Sequence, residues 1–179
     1  MFNRIKYYLL SVKSKIVGGM TIFSKIIVGE IPSYKIAENE KFFAFLDIFP
    51  LREGHVLVIP KIETDKLFDL PDDYLAEMLL FAKPIALAIE KVFDCNRCGI
   101  SVVGLEVPHA HIHLIPISSA NDLNFTQAKP QALPESLKTV QEKIVAAYDY
   151  FLVTLPGFFL INSSQPFKPA VAFPITEFV

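Results

Sequence analysis

The chain is poor in cysteine, in net basic charge and in long apolar runs. Two cysteines, Cys95 and Cys98, in 179 residues cannot build a disulfide framework and suit a reducing compartment, so a cytoplasmic protein is expected. A formal net charge of −2 leaves no basic footprint for nucleic acid. No apolar run reaches the length of about 20 residues that crosses a bilayer, so there is no firm membrane signal. Internal repeats and low-complexity linkers are absent too. What remains is 52% hydrophobic and 20% charged, enough for one ordinary domain with some excess.

The excess lies at the two ends. Residues 1–19 hold Arg4, Lys6, Lys13 and Lys15 and no acid, with apolar residues interleaved. A signal peptide would want a longer unbroken apolar core, and a basic amphipathic segment on a membrane is the competing reading. The expectation is a basic N-terminal extension, with Met20 as the working start. Residues 151–179 are apolar but broken by Pro156, Gly157, Pro166, Pro169 and Pro174, an apolar tail without a helix or strand period.

Between the ends the pattern is regular. Thr21 is a fair N-cap for a short helix from Ile22 to about Val28, stopped by Gly29. Strands are expected at Tyr34 to Ala37, Phe42 to Asp47 and His55 to Ile59, with a turn at Asn39 and Glu40. Pro71 and Asp72 open a long helix. Leu75, Met78, Leu79, Ala82, Ile85, Ala86, Ile89 and Val92 form one apolar stripe on it, and Pro84 predicts a kink. Further strands are expected at Cys98 to Val103 and His109 to Pro116. A C-terminal helical segment (121–150) follows, with a helix from Pro134 to Tyr150 that turns Leu137, Val140, Ile144 and Tyr148 to one side.

Three of the four histidines fall in His109-Ala110-His111-Ile112-His113. On a strand, positions i, i+2 and i+4 share a face, so three imidazoles line up while Ala110, Ile112 and Leu114 enter apolar packing. Imidazole titrates near neutral pH. Such a row suits nucleophilic attack, proton delivery or metal binding. Cys95 and Cys98 supply only two metal ligands where zinc wants four, and read better as a loop at a helix end.

The run His109 to Ile115 fits the pattern H-φ-H-φ-H-φ-φ, with φ apolar, and resembles the histidine triad family. Three upstream segments agree in order: Thr21-Ile-Phe-Ser-Lys-Ile-Ile with Gly29-Glu-Ile-Pro, Phe43-Ala-Phe-Leu-Asp-Ile, and Gly54-His-Val-Leu-Val-Ile-Pro-Lys. The resemblance covers about Thr21 to Pro116, and residues 20–120 form the expected nucleotide-binding catalytic domain. It implies an α+β fold, an antiparallel sheet of about five strands with a long helix across it, and a homodimer. The nearest branch looks like the nucleoside phosphoramidases.

The resemblance further implies a hydrolase that cleaves at the α-phosphate of an AMP-like purine nucleotide conjugate. His111 is then the nucleophile that carries a nucleotidyl group, His113 holds the phosphate oxygens, and His109 and His55 orient the row. Asp47 takes the ribose hydroxyls. Ile22, Phe23, Ile26, Ile31, Phe45 and Ile48 wall the base. Gly104 and Glu106 flank the phosphate. No cofactor and no metal is implied, because the Cys-x-x-Cys that holds zinc in some relatives is here Thr21 and Ser24. The family's usual Gln and Ser before the triad are Leu105 and Glu106. A carboxylate there repels phosphate, protonates a leaving amine or recognises a cationic one. A nucleotide- or partner-binding module of low turnover, and a dinucleoside polyphosphate hydrolase, are the alternatives.

Overall fold

The computed structural model describes residues 19–127 and 130–154, with side chains to residue 149. The basic extension up to residue 18 and the tail from 155 lie outside the described residues. The elements run α1 (Ile22–Ile27), β1 (Lys35–Glu38), β2 (Phe42–Leu46), β3 (Val56–Pro60), α2 (Asp72–Val92), β4 (Arg97–Ser101), β5 (Ile112–Ile117) and α3 (Pro134–Thr154). The strands form one sheet in the order β1-β2-β3-β5-β4, every pair antiparallel. This is the five-stranded α+β architecture expected from the sequence.

The sheet is covered on both faces, which is why β2 (FFAFL) and β3 (VLVIP) are apolar throughout rather than alternating. Phe42, Ala44, Leu46, Val56, Val58, Ile112 and Leu114 face α2 and α3 and join Met78, Ile85, Ile89, Val140 and Ile144 in the main core. Phe43, Phe45, Leu57 and Ile59 face the other way, toward Phe23 and Ile26 of α1. Period-two alternation thus divides two consecutive phenylalanines between two cores.

Local chemistry sets the element ends. Thr21 accepts the Ser24 N–H as N-cap, and Gly29 ends the first turn region at φ 79°. Asn39 Oδ1 accepts the N–H groups of Lys41 and Phe42 at 3.0 and 2.7 Å and closes the β1–β2 turn.

Some expectations change. The fifth strand begins at Ile112, so His109 and His111 precede it. Residues 105–109 form a bend, with His109 N–H bonded to Val107 O at 2.8 Å instead of to a neighbouring strand. The helix α2 continues on both sides of Pro84, which is buried. Leu79, assigned to the buried stripe, is 55% exposed, because α2 turns the Met78–Ala82–Ile85–Ile89 edge inward and α3 meets the sheet beside it. The helix α3 extends four residues beyond the expected Tyr150, to Thr154.

Candidate functional site

The site is built on the α1-facing side of the sheet. Register places Phe45, Leu57, His113 and Ser101 as successive cross-strand partners over β2, β3, β5 and β4. An apolar wall therefore leads directly to an imidazole. Phe23 rises from α1 and meets the rings of Phe45, His109 and His111 edge-on, with centroids 5.6, 5.8 and 5.3 Å away. Ile22 and Ile31 pack against the same cluster, in which Phe23, Ile26 and Phe45 are buried. Ile48 does not join it: it lies beyond the end of β2 and is 38% exposed. Of the residues assigned to the base, Ile22, Phe23, Ile26, Ile31 and Phe45 share one cluster, and Ile48 stands outside it.

The histidines are connected but unequal. His111 Nδ1 is 2.7 Å from the carbonyl oxygen of His109. A carbonyl only accepts, so Nδ1 carries the proton and Nε2 keeps its lone pair. Burial is the main cause that holds the His111 pKa below its ordinary value of 6.5, outweighing the His109 carbonyl and the Asp47 and Glu106 charges, which act in the opposite direction. The ring is therefore neutral at pH 7, with an in-plane lone pair on Nε2.

His113 stacks edge-on to His111 at 4.8 Å and to Phe125 at 4.8 Å. Its Nδ1 lies 2.9 Å from Nε2 of the fully buried His55. The Leu51 N–H points at His55 Nδ1 from 3.2 Å, so that nitrogen accepts. His55 Nε2–H then donates to His113 Nδ1, and the proton of His113 sits on Nε2. One imidazole is left with an acceptor nitrogen and its neighbour with a donor, an arrangement suited to attack beside an anion holder.

Asp47 ends the β2 edge of the site. Its Oδ1 accepts the Phe49 N–H at 2.8 Å, and its Oδ2 lies 3.4 Å from His55 Nδ1. Gly104 takes φ 63° in the segment before the triad, and Glu106 is exposed beyond it. Leu105, between them, is 88% exposed, so this segment offers its side chains to solvent rather than to the core.

Asp47, His55 and His113 each bring one potential metal-binding atom within 4.8 Å of the others, and among the described residues no other group of three does. The hydrogen bond between His55 and His113 already uses a nitrogen of each. Cys95 and Cys98 are free thiols, and among the described residues no group of three potential metal ligands includes them. The Thr21–Ser24 pair does not suit zinc either: both are hydroxyls, with their oxygens 2.9 Å apart.

Sequence reasoning missed the side chains of Glu63 and Phe125, which no motif marks, and two backbone groups, the Pro60 carbonyl and the Leu51 N–H, which no residue type can signal.

A pH dependence follows from the two buried rings. Burial lowers the His109 pKa as it does that of His111. Below the ordinary value of 6.5 the unfolded chain binds protons that the folded one refuses, so stability falls as pH falls through and below 6.5. The thermal midpoint is expected to drop between pH 7 and pH 5, and a midpoint that rose over that range would contradict neutral burial.

Residues 28–120 match the family model described as HIT domain. The chain is 44% identical over 96 residues to adenosine 5′-monophosphoramidase HNT1 of Saccharomyces cerevisiae, covering 53% of this chain and 61% of that relative. It thus spans less than two thirds of that relative's length. A HIT-like protein of Methanocaldococcus jannaschii is 38% identical over 129 residues, covering 68% of this chain and 99% of the relative. Among solved structures, a HIT-like protein from Bartonella henselae, described as involved in cell-cycle regulation and holding an unknown ligand, superposes with a TM-score of 0.64 at 30% identity, covering 74% of this chain and 99% of that one. A zinc-bound histidine triad family protein from Mycobacterium smegmatis gives a TM-score of 0.64 at 28% identity, covering 75% and 96%.

Proposed function

This chain belongs to the HIT domain family, and from that premise we propose that it is a nucleotidyl hydrolase of the phosphoramidase type, with His111 as nucleophile. The observation that carries the reading is the His111 tautomer. A neutral ring whose Nδ1–H is held by a carbonyl presents Nε2 as a lone pair without prior deprotonation.

In the first step His111 Nε2 attacks the α-phosphorus of an adenosine phosphoramidate. The N–P bond to His111 forms as the bond to the leaving amine breaks, and the amine takes a proton from solvent. His113 Nε2–H faces the charge that gathers on the phosphoryl oxygens. In the second step water attacks the phosphorus, gives up a proton and frees His111, releasing AMP. Asp47 accepts the ribose hydroxyls, and Ile22, Phe23, Ile26, Ile31, Phe45 and the exposed Ile48 enclose the base. Such an apolar slot favours a purine by burial and does not name which one.

The test is an acid-free quench of protein with adenosine phosphoramidate, read by mass spectrometry. An adduct of one nucleotidyl group on the triad, followed by AMP, is expected. Nucleotide binding with neither adduct nor AMP would favour a binding module, the reading to which the exposed Leu105 and Glu106 lend support. A diadenosine polyphosphate in the same assay separates the phosphoramidase from the polyphosphate hydrolase. Asp47→Asn weakens the acceptor for the ribose, and is expected to raise KM about tenfold with kcat held within a few fold. A 2′,3′-dideoxy substrate should lose the same factor on the native protein and little more on the variant; full additivity would remove Asp47 from the ribose.

The reading includes a homodimer in the cytoplasm, without nucleic acid or membrane partners. β4 is an edge strand whose Ile100 and neighbouring Val102 are 50% and 48% exposed, an apolar edge that a second copy would cover. Light scattering is expected to give about twice the 20.1 kDa chain mass. Among the described residues no helix is long and apolar enough to cross a membrane.

A further inference from the structure

A polar chain links the beginning of α1 to the histidine row, and the chemistry above makes no use of it. It can be followed proton by proton. His109 Nε2 lies 2.8 Å from the Pro60 carbonyl, so Nε2 is the protonated nitrogen and Nδ1 accepts. Thr21 Oγ1 lies 2.9 Å from that Nδ1 and therefore donates to it. The Thr21 oxygen itself accepts the Ser24 N–H at 3.0 Å. The Ser24 hydroxyl donates to Glu63 Oε1, and the same oxygen accepts the Thr21 N–H at 2.9 Å. With Glu63 ionised, every proton in the chain has one direction.

The end of this chain is the group that sets the nucleophile. His109 is 0% exposed and held at both ring nitrogens, so its ring cannot turn. Its carbonyl is the acceptor for His111 Nδ1–H. The other side of that same peptide plane, the Ala110 N–H, donates to Thr64 O at 2.6 Å. Thr64 follows Glu63 directly. The loop from Pro60 to Thr64 therefore grips the His109 ring and the His109–Ala110 peptide together, and Glu63 ties that loop to α1. Phe23, two residues beyond Thr21, lies edge-on against both rings.

We propose that Thr21, Ser24 and Glu63 are positioning residues for His111, acting through His109: they fix the peptide whose carbonyl selects the Nδ1–H tautomer and aims Nε2. The inference deepens the nucleotidyl hydrolase reading, since its catalytic consequence rests on His111 as nucleophile. Its structural consequence does not need substrate. The chain of contacts makes the start of α1 part of the site's electrostatics and not only a lid over the apolar slot.

The test uses the full-length protein with ¹⁵N-labelled histidine and three variants. Thr21→Val keeps the shape and removes the donor to His109. Thr21→Ser restores a hydroxyl. Glu63→Gln, at an exposed position, keeps the shape and removes the charge. In Thr21→Val the ¹⁵N resonances of both His109 and His111 are expected to move, with kcat on adenosine phosphoramidate lowered about tenfold and KM within about twofold of the native value. Thr21→Ser should return the resonances and kcat toward native. Glu63→Gln should shift them in the same direction by less, and supplies the readout if Thr21→Val does not fold. Unchanged His111 resonances in both Thr21→Val and Glu63→Gln overturn the proposal, as does a Thr21→Ser variant no better than Thr21→Val. Because the resonances need no turnover, shifted signals in a protein without hydrolase activity would sink the functional reading and leave the positioning chain standing.

Discussion

His111→Ala is expected to lower AMP release from an adenosine phosphoramidate by roughly three orders of magnitude or more, and to remove the nucleotidyl adduct. The size follows from what is lost. Without the Nε2 lone pair the reaction has no two-step route, and water must displace the amine directly. Orientation and the apolar slot remain, so binding of the nucleotide should survive. The fold should survive as well, because the His111 ring lies at the α1-facing edge of the core and its contacts are to Phe23, His113 and the His109 carbonyl. Circular dichroism and a nucleotide-binding isotherm on the variant separate lost chemistry from lost structure. Full activity in folded His111→Ala would remove the nucleophile assignment. An adduct found on another histidine would move the role to that ring.

Gly54→Ala is expected to destabilise the protein by about 2–4 kcal/mol, combining backbone strain and overpacking. Gly54 sits at φ 91°, where an L side chain is strained. A Cβ there would also overlap the ring of Phe93 just beyond α2, at Cε2 and with Cζ and Cδ2 at 2.7 and 2.8 Å. Phe93 is half-buried against the main core, so moving its ring would disturb that packing. The thermal midpoint should fall by on the order of 10 °C.

The effect on the site should exceed the effect on stability. Gly54 precedes His55, whose N–H donates to Arg52 O at 3.1 Å and whose Nδ1 accepts from Leu51. Displacing this loop disturbs the His55–His113 bond. Phe93→Leu in the same chain should recover part of the loss, and a coupling of about 1 kcal/mol between the two positions would identify the ring as the obstacle. A Gly54→Ala protein within about 0.5 kcal/mol of native would show that neither strain nor overlap acts there.

Much of the architecture was legible because the signals were local. Thr21 before an apolar run, Gly29 after it, the Asn39 turn and the 3.6-residue stripe from Met78 to Ile89 each act within a few residues. The five strands were found within two residues of their ends, except that the fifth starts three residues later and loses His109 and His111. Alternation could not reveal that boundary, since a bent approach and a strand both carry H-φ-H-φ-H. Pro84 does not end α2: a proline removes one helix bond, but its ring also fills buried space. Leu79 read as core because helical spacing cannot say where a stripe ends. The edge that α3 and the sheet leave open is decided by packing.

The sequence by itself determined that three imidazoles would be grouped close to apolar segments, because the residue types and their order are properties of the chain alone. It also determined that Asp47 would stand where β2 ends. Only the tertiary structure decided which nitrogen of each ring carries the proton. Three histidines are chemically identical in sequence, and their tautomers depend on partners from Leu51, Pro60 and Thr21, which come from other segments and are mostly backbone atoms or hydroxyls without a motif. The His109 carbonyl makes His111 an acceptor at Nε2, and His55 makes His113 a donor. A single hydrogen on one of two ring nitrogens is set by where the neighbouring chain passes, and that path exists only once the sheet, α1 and the loop after β3 have folded against each other.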